Sequence, residues 1–113
     1  MQSNLHDHLR AARRAHQQAE YTLAVLLFEL KTTRRYTERG HTSVVDYAQA
    51  ELDLTVRQTH DLVLIGQCMR TLPALVEAFA DGRLSATKAR EVARIATPAT
   101  DAAWTEQIGR AHV

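Results

Sequence analysis

The 113-residue sequence holds a single cysteine, Cys68, so no disulfide can form within the chain. A reducing cytoplasm is the natural setting for such a chain. Glycine and proline are also scarce, at four and two residues. That scarcity argues against the turn-rich texture of a β-protein and favours helices. No stretch alternates apolar and polar residues as a strand would, and no repeat or low-complexity tract is present. The most apolar window runs from Tyr21 to Leu30, about half of a membrane span. No apolar run follows a basic start, so no secretory signal is expected and the chain is expected in the cytoplasm. A Gly-rich phosphate loop is missing too.

A strong charge of one sign is lacking as well. The formal net charge is +1, too little for the whole chain to act as a polyanion binder. The distribution is uneven. Residues 1–40 carry seven Lys/Arg against four Asp/Glu, whereas residues 41–96 carry six against seven. What remains is an ordinary globular balance, 45% hydrophobic and 24% charged, enough for one domain with a small core.

The pattern predicts an all-α fold: one long N-terminal helix, a helix-turn-helix, and three further short helices. Helical periodicity extends from residue 3 to about 34, with Ser3 as the expected cap and Asp7 near the positive end of the dipole. Apolar positions step by four and three through Leu5, Leu9, Ala12, Ala19, Leu23, Leu26 and Leu30, with His16 out of type. This is a heptad seam. After Tyr21 the apolar face widens, so the second half of the helix is expected to be buried. A helix of some thirty residues spans about 45 Å, longer than the body the remaining residues can form. Residues 1–35 therefore read as a long helix and 36–113 as a helical domain. Leu5, Leu9, Ala12 and His16 are expected to pair two chains into a homodimer. The alternative is cover by a folded-back C-terminal helix.

Punctuation divides the rest. Gly40 is the expected stop of the first segment, and Ser43 caps a helix to Leu52. Thr55 and Gln58 form a capping box for a helix from Val56 to about Met69. Asp53 stands at the turn, where a left-handed residue is needed. Ala48, Leu52, Leu54, Val56, Thr59, Leu62 or Val63, and Gly66 are expected to face inward. Pro73 opens the next helix, Asp81-Gly82 ends it, and Ser85 caps a helix from Ala86 to Ala96. Thr97 and Pro98 are expected to cap and begin a last helix containing Trp104 and Ile108.

Two helices joined by a three-residue turn are a candidate DNA reader. The second helix would then present Arg57, Gln58 and His60 to base edges, since Arg suits guanine and Gln suits adenine. Thr55, Lys88 and Arg90 would contact phosphates. The competing reading is plain architecture, because two short capped helices occur in many α-domains. Cys68 reads as a small buried apolar residue.

The run Leu72-Pro73, Ala78, Gly82-Arg83-Leu84-Ser85, Lys88-Ala89-Arg90 and Ala96-Thr97-Pro98, with Trp104, carries a resemblance. So do Gly40, Ser43, Tyr47, Leu54, Thr55, Arg57 and Gln58. Over residues 36–110 the chain resembles the helical domain of unknown function that precedes the HNH-nuclease module in many bacterial proteins. Residues 52–93 are also similar to the DNA-binding domain of ParB-type partition proteins, with Lys88 where that family usually has His. The resemblance implies a non-catalytic DNA-recognition domain of a nuclease-like protein, its catalytic module lying beyond Val113. HNH chemistry needs a His to activate water, an Asn to orient it, and His or Asp metal ligands. This chain has one asparagine, Asn4, and six scattered histidines. No enzyme activity, metal, cofactor or small-molecule substrate is expected of it. The rival function is a structural oligomerisation module without DNA contact.

Overall fold

The computed structural model describes residues 4–110. Six α-helices follow in order: α1 (Leu5–Thr33), α2 (Val44–Leu52), α3 (Val56–Gln67), α4 (Pro73–Ala80), α5 (Ala86–Ile95) and α6 (Asp101–Arg110). Short 3-10 turns at Arg35–Arg39 and Cys68–Arg70 link α1 to α2 and α3 to α4. The chain is all-α, with no strand among the described residues. Ser3 lies outside them, and Asn4, which precedes α1, makes no side-chain cap bond.

Local chemistry sets most boundaries. Ser43 Oγ accepts the Asp46 amide at 3.0 Å and so starts α2. Asp53 adopts the left-handed conformation at φ 56°, and the Leu54 amide returns to the Ala48 carbonyl at 3.1 Å. Thr55 and Gln58 close a full capping box on α3. That helix stops at Gln67 rather than Met69, because the chain tightens into the 3-10 turn ahead of Pro73.

The start of α4 is satisfied from a distance. Its preceding residue, Leu72, has no polar side chain to offer. Asp101 supplies the missing acceptor from α6, taking the Ala74 amide at 2.6 Å and the Leu75 amide at 3.1 Å. This carboxylate is 2% exposed. It also accepts the Thr105 hydroxyl at 3.3 Å. The last helix therefore begins at Asp101, not at Pro98. Thr97 and Pro98 belong to the preceding turn, where the Thr97 amide donates to Thr100 Oγ1 at 2.8 Å.

One core joins α1 to everything else. Ala24 and Leu27 of α1 pack with Leu62, Val63 and Ile65 of α3, Leu75 and Phe79 of α4, and Ala89 and Val92 of α5. The crossing of α1 over α3 depends on small residues. A Cβ on Gly66 would lie 2.6 Å from the Ala24 carbonyl oxygen and 2.7 Å from Phe28 Cβ. A second close approach holds α1 to the α4–α5 turn. Gly82 has φ +78°, and a Cβ there would meet the Arg14 backbone oxygen at 2.8 Å. Arg14 reciprocates by donating to the Asp81 carbonyl at 2.8 Å and to its carboxylate at 2.9 Å.

On the N-terminal side of Arg14 the helix leaves the body. The radius of gyration is 15.5 Å, against roughly 13 Å for a compact chain of this length. The longest extent is 51 Å.

The corner before α2 is held by charge. Nδ1 of His41 lies 3.2 Å from Asp46 Oδ2, and Nε2 lies 3.0 Å from Glu51 Oε2. Donating to both carboxylates requires the imidazolium form. Arg39 donates twice to Glu51, at 3.2 and 3.3 Å. The bond to Glu51, followed by that to Asp46, raises His41 above its ordinary 6.5. Asp46 is lowered chiefly by the Thr42 amide and then by His41, and Glu51 by His41 and then Arg39.

Two predictions follow from these contacts. Gly66→Ala should destabilise by about 1–3 kcal/mol in urea unfolding, because a backbone crossing must open. Gly40→Ala has nothing within 4 Å and should cost only its left-handed strain, about 1 kcal/mol. The His41 cluster should give a melting-temperature advantage over His41→Ala that is greatest in mildly acid solution. Its raised histidine contributes below 6.5 and loses that contribution as pH climbs through the higher folded value. Its lowered carboxylates contribute above their ordinary 3.8 and 4.5 and lose that as pH falls further. A difference independent of pH between about 4 and 9 would contradict the ionic clamp.

Candidate functional site

The six residues expected to touch DNA do not share one surface. Arg57 and Gln58 open α3 and line a groove of about 560 Å³ between α1, α3 and α5. His60 turns the other way, into a hollow with Lys31, Val44 and Val63. Thr55 Oγ1 accepts the Gln58 amide at 3.0 Å, and Gln58 Oε1 accepts the Thr55 amide at 2.8 Å. A paired contact to adenine needs that same Oε1 as an acceptor. Gln58 is thus already engaged by its own helix.

The α5 cations also have partners. Lys88, expected on a phosphate, is half-buried and donates to the Gly109 carbonyl at 3.2 Å. A cation there suits the negative end of α6. Arg90, likewise expected on a phosphate, has a side chain only 17% exposed that stands 3.7 Å from Asp61. The same groove carries Glu20 as well as Asp61, so its charge is mixed. Of the residues expected to touch DNA, Arg57 and His60 remain exposed near the start of α3 without such engagement.

The four residues expected to pair chains do lie together. Leu5 and Leu9 are 56% and 59% exposed. Ala12 and His16 continue the strip and are exposed too. Leu26, expected to be buried in the second half of the helix, is 54% exposed. The reason is geometric. The body takes up the face of α1 that carries Ala24 and Leu27, and the heptad seam lies about a quarter-turn away. Among the described residues no folded-back helix covers the strip, since α6 packs on α4 and α5.

Leu52 and Val56 depart from the expected inward set, at 41% and 43% exposed. Thr59, Leu62, Val63 and Gly66 are buried. Cys68 is partly buried, with burial raising its thiol, and Sγ lies 3.8 Å from the Ala93 carbonyl.

Among the described residues, no group of three or more His, Cys, Asp or Glu side chains is placed to hold a metal ion. No described helix is long and apolar enough to cross a membrane. No protein-family model, curated protein or solved structure matches the chain.

If Gln58 serves the capping box, Gln58→Ala should cost about 1 kcal/mol of stability in thermal or urea unfolding. Arg57→Ala, one residue away and exposed, should change stability by less than about 0.5 kcal/mol. Equal losses at both positions would contradict the assignment.

Proposed function

We propose that this chain is a non-catalytic association domain of an HNH-nuclease-like bacterial protein, pairing with a second copy through α1. The observation that carries this reading is the strip Leu5, Leu9 and Ala12, which stands clear of the body on an otherwise regular helix and runs into His16 at the edge of the groove. A helix end without tertiary packing is marginal in water. Two leucines more than half exposed are one turn apart on that end. Pairing would remove them from solvent and order the end together. The resemblance of residues 36–110 to domains preceding HNH modules supports an accessory place beside a nuclease module. The nuclease residues themselves are missing from this stretch.

A second reading, direct DNA contact by the helix-turn-helix, is favoured by one specific feature. Arg57 and His60 are exposed in the first turns of a helix entered through a tight three-residue turn. Against it stand the prior engagement of Gln58, Lys88 and Arg90 and the acids lining the same groove.

Light scattering coupled to size exclusion should find the wild type at twice its 12.7 kDa mass, and Leu5→Asp/Leu9→Asp at the single mass. A monomeric wild type at about 100 μM would overturn the association reading. Fluorescence anisotropy with random duplex DNA tests the second reading. Affinity that falls steeply between about 50 and 200 mM salt and weakens in Arg57→Ala would support DNA contact, and no binding at the lower salt would end it.

A further inference from the structure

The two halves of the α1 seam are unlike in shape. The first half, Leu5 to Ala12, is a bare rod. The second half is bordered by depressions. His16 and Leu23 form one wall of the groove that Leu54 and Leu62 line from the other side. Leu26 and Leu30 open into a second hollow beside Tyr47 of α2. A helix with its side chains is about 10 Å across, so a bare rod can lie along this trough where a whole second body cannot.

The charges that flank the seam also choose a direction. In the heptad frame, Arg13 and Glu20 occupy equivalent positions on one edge, and His8 and Glu29 do so on the other. Antiparallel pairing brings like edges together. With the two helices fully overlapped, Leu5 meets Leu30 of the second copy, Leu9 meets Leu26, Ala12 meets Leu23, and His16 meets Ala19. The same register sets Arg13 beside Glu20 of the second copy and His8 beside Glu29, each pair occurring twice. A parallel pair would instead set His8 against Arg13 and bring both bodies to the same end. Among the described residues, Arg13 has no carboxylate partner, contacting only His16 Nδ1 at 2.9 Å. The Glu29 carboxylate has no cationic partner among them.

Resting on the association reading above, we propose that the occupant of the trough is the bare N-terminal half of a second copy of this chain, laid antiparallel. Each copy then covers the other's exposed leucines, and the two bodies stand at opposite ends of one paired helix. The small residues Ala12 and Ala19 lie toward the middle of the overlap and leave room for His16.

The orientation can be read in the full chain by a distance. Asp7→Cys in a Cys68→Ser background carries a spin label at an exposed site of α1. Asp7 lies on the outer side of either pair, so antiparallel overlap places the two labels about 40 Å apart, whereas parallel pairing places them about 25 Å apart. A charge exchange gives an independent readout. Arg13→Glu and Glu20→Arg should each weaken dimerisation roughly tenfold, and the double variant should recover to within about twofold of wild type. In a parallel pair these two positions do not meet, so no recovery would occur. A dimer with the short distance, or without recovery, overturns the antiparallel arrangement and leaves the association reading standing. A monomeric chain overturns both.

Discussion

The close crossing of α1 and α3 at Gly66 determines how the rest is arranged. There the backbone of Ala24 and the side chain of Phe28 occupy the space a Cβ would need. Two helices this near share one core, and α2, α4 and α5 build onto it through Leu27, Leu62, Ile65 and Phe79. The crossing also fixes the rotation of α1 about its own axis. Once Ala24 and Leu27 face inward, the heptad seam must face sideways. The exposed leucines are thus a consequence of core packing, and their apolar surface stays in water unless another chain covers it.

Polar groups serve mainly to hold this geometry. Asp101 caps α4 from α6, Lys88 draws α5 to the end of α6, and Arg14 ties α1 to the Asp81 turn. His41 fastens the corner ahead of α2. Each group satisfies backbone amides or carbonyls, or pairs a charge, that would otherwise be left at a helix end or a turn. Such use of side chains engages Arg14, Lys88 and Arg90 within the fold rather than in the surplus of surface charge that binding a phosphate backbone calls for. An association domain needs no such surplus of charge.

Much of the fold was legible in the sequence, where its cause is local. Ser43, Thr55 and Ser85 cap helices because their partners lie three residues on, and Asp53 and Gly82 mark turns by their own backbone preferences. The seam was legible as a period but not as a position on the body, because periodicity does not say which of two apolar faces the core will take. Leu26 is exposed for that reason, and Leu52 and Val56 are exposed as the last residue of α2 and the first of α3. Lys88 and Asp101 have partners 21 and 26–27 residues away, beyond any local pattern. An expectation of open phosphate contacts could not anticipate that the fold itself would recruit these side chains.

Hydrogen exchange along α1, followed against protein concentration, tests the central claim most directly. If Leu5 to His16 are ordered by a second copy, their amides should gain protection as concentration rises through the dimer dissociation constant, while those around Ala24 stay protected throughout. Rapid exchange in that segment at every concentration, alongside a well-protected Ala24, would contradict the account.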